Sequence, residues 1–361
     1  MTWVGLADQG GAQFDLTGLS NRPRRRAERV VESAGALATR GTLMLEADVA
    51  QFTIPRLLID HCLGASYGLV VAFGETDTLE FALSVGDADW VESLPLQITD
   101  ELQTVRITYA WDAASRAAVL SIFQPRSQHL AQVILPSPRP IPLAALRSLI
   151  HEAPAMCRSG DIRFVALSRA FEPAGAMPGL ARNTQIMTRD GLRFVSEIER
   201  GDMVIDVDGR LQRVQAAVRR VLPARGSFTP YRLRAPYLGL ERDFVASGES
   251  LVELQGSDVE YLLGVERVLA HASQVAERDF AGEASEQTTV TYYQLLLERS
   301  VLMDASIGVL SLNLGAAVPT GIAAATTLWA DAGSVLRGHD PRPYPVARSY
   351  EVVTLNASRA A

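Results

Sequence analysis

The sequence is short of cysteine: Cys62 and Cys157 are the only two in 361 residues. Two thiols in so long a chain make no disulfide framework, so the fold must rest on buried apolar surface. Both are expected as buried thiols, and whether they pair is open. Long apolar runs are missing too. The most apolar segment, Ile307 to Trp329, is interrupted by Asn313, Pro319 and several glycines, so no membrane-spanning helix is read. The opening residues Met1-Thr2-Trp3-Val4-Gly5 carry no basic stretch leading into an apolar one. No secretory signal is read, and a cytoplasmic location is the default expectation.

A surplus of positive charge is missing as well. The net charge is −7, which argues against a nucleic-acid partner. The one basic run, Arg24-Arg25-Arg26 behind Arg22-Pro23, reads either as an arm for phosphate or anionic lipid or as a solvated cluster, and the charge balance favours the cluster. There is no phosphate-binding glycine loop and no Gly-x-Ser-x-Gly elbow. His129, His151 and His339 lack metal-ligand spacing with each other or with the cysteines, and His271 stands alone. No metal or cofactor is expected. His61-Cys62 has the residue types of a nucleophile pair, but neighbours on a strand point to opposite faces.

What is present is a globular chain. Hydrophobic residues at 48% against 21% charged allow a sizeable core, and the length favours two domains. Residues 1–40 are polar and read as an N-terminal arm. From 41 to 168 short strand-like runs dominate: Thr42–Val49, Leu69–Phe73, the alternating Leu79–Val85 and Thr104–Asp112, Ala117–Phe123 and Asp161–Leu167. Alternation with period two marks half-buried strands, and many of them between turns predict an antiparallel, jelly-roll-like β-sandwich. One helix is expected at Leu143–Ile150 behind Pro140-Ile141-Pro142. Residues 169–180, rich in Pro, Gly and Ala, favour neither helix nor strand and read as a linker. Residues 181–356 resume as a mostly β domain, with a tight turn at Asp208-Gly209. Tyr292–Arg299 fits helix or strand equally.

The hairpin at Tyr109-Ala110-Trp111-Asp112 is weakly similar to sandwiches of the concanavalin/laminin-G type. The second domain resembles the bacterial Hint (Hedgehog/intein) family over about residues 179–356. The segments that carry this are Ile186-Met187-Thr188-Arg189-Asp190-Gly191, Val195-Ser196-Glu197-Ile198-Glu199-Arg200-Gly201-Asp202-Met203-Val204, Phe244–Ser250, Leu262–Leu269, Val290–Leu296 and Tyr350-Glu351-Val352. The resemblance implies a Hint-type β fold and also what its chemistry would need. A first-residue Cys or Ser attacks the preceding carbonyl, and a His in a Thr/Ser-x-x-His segment protonates the departing amide nitrogen. At the matching positions stand Gly179 for the nucleophile and Ser250, in Ser247-Gly248-Glu249-Ser250, for the His. Gln294 and Ser300 stand where related domains carry two further histidines. The intein ending His-Asn is missing, since Leu312-Asn313 and Leu355-Asn356 replace it.

The expectation is a degenerate, non-catalytic Hint protein that acts as a binding or assembly module, with a protein partner, or a glycan as the other ligand class. Asp87, Asp89 and Glu92 around Trp90 form a candidate ligand cluster, since sugar faces stack on Trp; a solvated loop is the plainer reading. Glu75, Asp77 and Glu80 leave open a carbohydrate-active enzyme with paired carboxylates. The proline-rich tail Pro341-Arg342-Pro343-Tyr344-Pro345 suits wrapping around a neighbour or plain disorder.

Overall fold

The computed structural model describes residues 2–20, 35–50, 54–99, 101–152, 156–276, 287–312 and 344–360. The arginine run, Asn313, Pro319, His339 and Pro341 to Pro343 lie outside the described residues. The chain divides into two compact units, parted between Ala176 and Met177.

The first unit is an antiparallel sandwich. One sheet has seven strands, in the spatial order His129–Pro136, Ala117–Gln124, Gln103–Asp112, Arg40–Val49, Ile162–Ser168, Trp3–Asp8 and Gly11–Phe14. The other has five: Met156–Arg158, Arg56–Cys62, Tyr67–Phe73, Thr78–Val85 and Ala88–Pro95. Alternation explains the packing. In Thr78–Val85, Leu79, Phe81, Leu83 and Val85 are buried. They meet Leu43, Leu45, Ile107, Tyr109 and Leu120 of the larger sheet in one core. Tyr109 and Trp111 stack there at 5.5 Å. The hairpin register brings Asp112 opposite Ala117. The Asp112 carboxylate closes the turn by accepting the N–H groups of Ala114 and Ser115, the local pairing that favours Asp in turns. The expected helix forms at Leu143–His151. It starts behind Pro142, buries Ala145, Leu146, Leu149 and Ile150, and ends where Glu152 turns left-handed.

The start of the chain corrects the expectation of an arm. Trp3–Asp8 is a strand with Trp3 fully buried, paired to Ile162–Ser168 on one side and Gly11–Phe14 on the other. It is buried on both faces, so it shows a continuous apolar run instead of alternation. The thiols are corrected as well: Cys62 and Cys157 are both free and exposed.

Residues 169–176 are irregular but tied down across the outer face of the larger sheet. The Thr42 hydroxyl donates to the Ala170 carbonyl, Arg40 lies 5.2 Å over the Phe171 ring, and Arg106 Nη1 donates to the Gly175 carbonyl.

The second unit has an eight-stranded sheet in the order Gly191–Phe194, Gln185–Thr188, Met203–Ile205, Leu211–Pro223, Thr289–Leu297, Leu180–Ala181, Phe244–Ser247 and Pro230–Leu233. A four-stranded sheet runs Arg267–His271, Leu251–Gln255, Gly308–Leu310 and Leu302–Asp304. Helix Ser349–Ala360 closes the unit, with Val352 and Leu355 in the core. The undecided segment is a strand. Thr289–Leu297 pairs with Leu211–Pro223 over most of its length, and its first residues are the β-branched and aromatic types that fit a pleated surface. Gly209, at φ 80°, supplies the tight turn after Asp206. Among the described residues, no helix is long and apolar enough to cross a membrane.

Candidate functional site

The two-residue strand Leu180–Ala181 is inserted between Phe244–Ser247 and Thr289–Leu297. That insertion brings the residues just before it, Met177-Pro178-Gly179, against the turn Ser247-Gly248-Glu249-Ser250. The polar groups of this short stretch are taken up one after another. Met177 N–H donates to Glu249 Oε2 at 2.7 Å, and the Ser247 hydroxyl lies 3.4 Å from the Met177 carbonyl. Gln294 Nε2 donates to the Pro178 carbonyl. Gly179 N–H donates to Ser250 Oγ at 3.0 Å. The Gly179 carbonyl lies 2.8 Å from the Ser247 N–H and 3.1 Å from Ser250 Oγ. The two serine hydroxyls are 3.2 Å apart. Ser247, Glu249, Ser250 and Gln294 are all buried, and buried polar groups need partners of this kind.

Gly179 has no side chain because there is no room for one. A β-carbon there would stand 2.5 Å from Tyr292 Cβ and 2.8 Å from its Cγ. Tyr292 is fixed in turn: its ring is buried and its hydroxyl donates to the Phe228 carbonyl at 2.8 Å. Burial, and after it the neighbouring Tyr231 and Glu249, hold its phenol well above the usual range, so it stays a neutral donor.

The chemistry open to this cluster is limited by its atoms. Ser250 Oγ touches the nitrogen of the Pro178–Gly179 peptide, but as an acceptor of its N–H. A hydroxyl has one proton to donate and a high pKa, so it is a poor acid for a departing amide. Of the four positions singled out from the sequence, the structure brings Gly179, Ser250 and Gln294 together. Ser300 is buried beyond the end of Thr289–Leu297, in the turn toward Leu302–Asp304. Sequence reasoning missed Glu249 and Tyr292 as members of the cluster. Glu249 lies inside the recognised segment Phe244–Ser250, and that membership was the available signal. Nothing local marked Tyr292.

Strand alternation divides two of the other candidate groups. His61 is buried and Cys62 is exposed, the strand alternation having split them. Burial lowers the His61 pKa, Asp60 opposing, and His61 Nε2 lies 2.7 Å from Ser148 Oγ. Along Ala88–Pro95, Asp89 and Val91 are exposed while Trp90 and Glu92 are half-buried on the other face. The Trp90 indole N–H is committed to the Pro136 carbonyl, and Asp87 is paired with Arg139. Glu75, Asp77 and Glu80 are exposed around one turn of the smaller sheet.

No curated protein matches the chain. Among solved structures, the MchDnaB-1 intein is similar at 16% identity and a TM-score of 0.25, covering 37% of this chain and 99% of the intein. The LG1-3 region of the laminin alpha2 chain is similar at 11% identity and a TM-score of 0.24, covering 46% of this chain and 25% of that one. Domains LG4-5 of the mouse laminin alpha1 chain are similar at 11% identity and a TM-score of 0.22, covering 86% and 74%. The family expected from the order of the sequence segments is borne out for the second half: residues 178–309, which include Gly179, Ser250 and Gln294, match the Hint domain family.

Proposed function

We propose that the second unit is a Hint-type domain without self-processing activity, which serves the chain as a binding or assembly module. One observation carries this reading. The Pro178–Gly179 peptide, where attack would fall, is held by the Gln294 amide at its carbonyl and the Ser250 hydroxyl at its N–H, and position 179 has neither a nucleophile nor space for one. Peptide cleavage at neutral pH needs an activated nucleophile and a proton donor for the leaving nitrogen. Gly179 cannot be the first and Ser250 is poorly suited to the second. What the cluster does well is hold Met177-Pro178-Gly179 in one conformation, which suits a scaffold that presents a surface to a protein partner. The test is intact-mass analysis of the purified chain over days, with and without hydroxylamine or a thiol. The expected result is a single species at full-length mass. A time-dependent break between Pro178 and Gly179, hastened by either reagent, would overturn the reading.

A further inference from the structure

At one end of the second unit's larger sheet, the register lines up apolar residues on the face turned away from the core. Met187 stands opposite Leu192 and Ile205 opposite Leu211, and the pairing of Thr188 with Val204 sets Met187 beside Ile205. Thr188 and Val204 are buried, so the residues one step along point to the other face. The result is an apolar row, Leu192-Met187-Ile205-Leu211, across four neighbouring strands. Leu211 is 49% exposed, Leu192 38%, and Phe194, two residues beyond Leu192 on the same face, 40%. Met187 and Ile205 are half-buried. Apolar side chains exposed singly are ordinary, but a contiguous row marks an interaction surface.

One flank of the row is basic. Arg189 lies two residues beyond Met187, and its N–H donates to the Met203 carbonyl at 3.0 Å. Met203 in turn stands opposite Arg213. Alternation puts Arg189, Met203 and Arg213 on the same face as the apolar row, one step along the strands. Both arginines are exposed. Among the described residues neither guanidinium has an ion pair, a side-chain hydrogen bond or a ring contact. By contrast, Arg193 and Arg210 nearby are paired with Asp202 and Asp208. The opposite flank, Phe194 with Gln185, is uncharged. Neighbouring strands lie about 4.8 Å apart, so the stems of Arg189 and Arg213, two strands apart, stand roughly 10 Å from each other.

We propose that this face docks an acidic amphipathic helix of a partner protein. The helix covers the row with its apolar side chains, and two carboxylates on its flank each bond one guanidinium. A helix rises about 1.5 Å per residue, so carboxylates seven residues apart are about 10.5 Å apart on one side and match the two arginines. An extended strand does not match, because its same-side residues fall roughly 7 or 14 Å apart. An anionic membrane is a poorer occupant: lipid-binding clusters gather about four to eight basic residues, and this chain carries a net charge of −7. The proposal rests on the reading of this unit as a binding module, and adds the surface and the chemistry of the partner.

The test is selection of phage-displayed random peptides on the full chain, followed by fluorescence anisotropy with the enriched peptide made synthetically. That peptide is expected to carry apolar residues at three- and four-residue spacing and Asp or Glu seven residues apart. Arg189→Glu combined with Arg213→Glu, both at exposed sites, should weaken its binding about tenfold or more, since like charges then meet across the interface. Exchanging the carboxylates of the peptide for lysine should restore binding to that variant. Leu211→Ser should weaken binding about fivefold, because half of that side chain is left to bury. No enriched peptide, an enriched peptide without acids, or undiminished binding to the double variant would overturn the proposal. Two other results would overturn it as well. Binding to phosphatidylserine vesicles that the double variant loses assigns the face to a membrane, and self-association that Leu211→Ser abolishes assigns it to a second copy of the chain. Self-processing is read separately by intact mass, so a chain that stays whole yet selects no acidic peptide refutes this proposal alone.

Discussion

At the scale of single residues, Gly179 decides most. A methyl group there collides with the β-carbon of Tyr292, an atom that truncation of the Tyr ring to Ala leaves in place. Gly179→Ala is therefore expected to destabilise the second unit by about 1–3 kcal/mol, the usual cost of overpacking, and urea unfolding monitored by fluorescence would measure it. Loss of less than about 0.5 kcal/mol would mean that the two backbones part freely. The double change Gly179→Cys with Ser250→His restores the expected residue types without the space. It should give no cleavage above the wild-type level by mass analysis. Much of this cluster was legible in the sequence: the order of the segments aligned Ser250 with Gly179, and the structure puts the Ser250 hydroxyl on the Gly179 amide. The packing against Tyr292 was not legible, because it comes from a strand pairing 113 residues apart, Leu180 with Tyr293, which neither periodicity nor composition encodes.

At the scale of elements, the sandwich shows which strands a sequence reveals. Thr78–Val85 has one wet face, alternates, and was readable. Trp3–Asp8 is covered on both sides and was not, although Trp3-Val4 followed by the Gly10-Gly11 turn carried a hairpin signal in hindsight. The central pair Arg40–Val49 and Gln103–Asp112 hides a further surprise in its register, since Glu46 stands directly opposite Arg106. Their side chains are fully buried, 2.9 Å apart, with the guanidinium 5.6 Å over the Phe123 ring. Such a pair costs much to dehydrate and is dangerous to halve. Glu46→Leu alone should destabilise the first unit by about 3–5 kcal/mol. Adding Arg106→Met should recover about half or more of that loss, since an apolar pair avoids a stranded charge. A double-mutant cycle in thermal unfolding would measure both, and an additive double variant would show that the two groups do not interact.

At the scale of the whole molecule, one buried titrating group in each unit predicts opposite responses to pH. Burial lowers the pKa of His61 from 6.5, against the pull of Asp60. The unfolded chain then binds the proton more readily, so this contribution to the first unit is fully present above pH 6.5 and is lost as pH falls through the folded value. Burial raises the pKa of Glu253 from 4.5, with Asp208 adding to the shift and Arg267 and the Gly308 amide opposing it. Its contribution to the second unit is full below pH 4.5 and is lost as pH rises through the folded value. By calorimetry, the first unit's unfolding transition should therefore rise with pH just below pH 6.5, and the second unit's should fall with pH just above pH 4.5. His61→Asn should flatten the first trend and Glu253→Gln the second. Transitions that move together in both variants would refute this assignment.

The contact between Gly179 and Tyr292 also bears on how such a domain could change over generations. Gaining a thiol at 179 by a single substitution brings a collision before it brings any reactivity. Relieving the collision first means withdrawing the main chain at 292 from a strand that a long neighbour holds along its length. Each path back thus begins with a less stable protein. On the proposed reading the glycine acts as a ratchet: packing, as well as the missing sulfur, would keep self-processing out of reach.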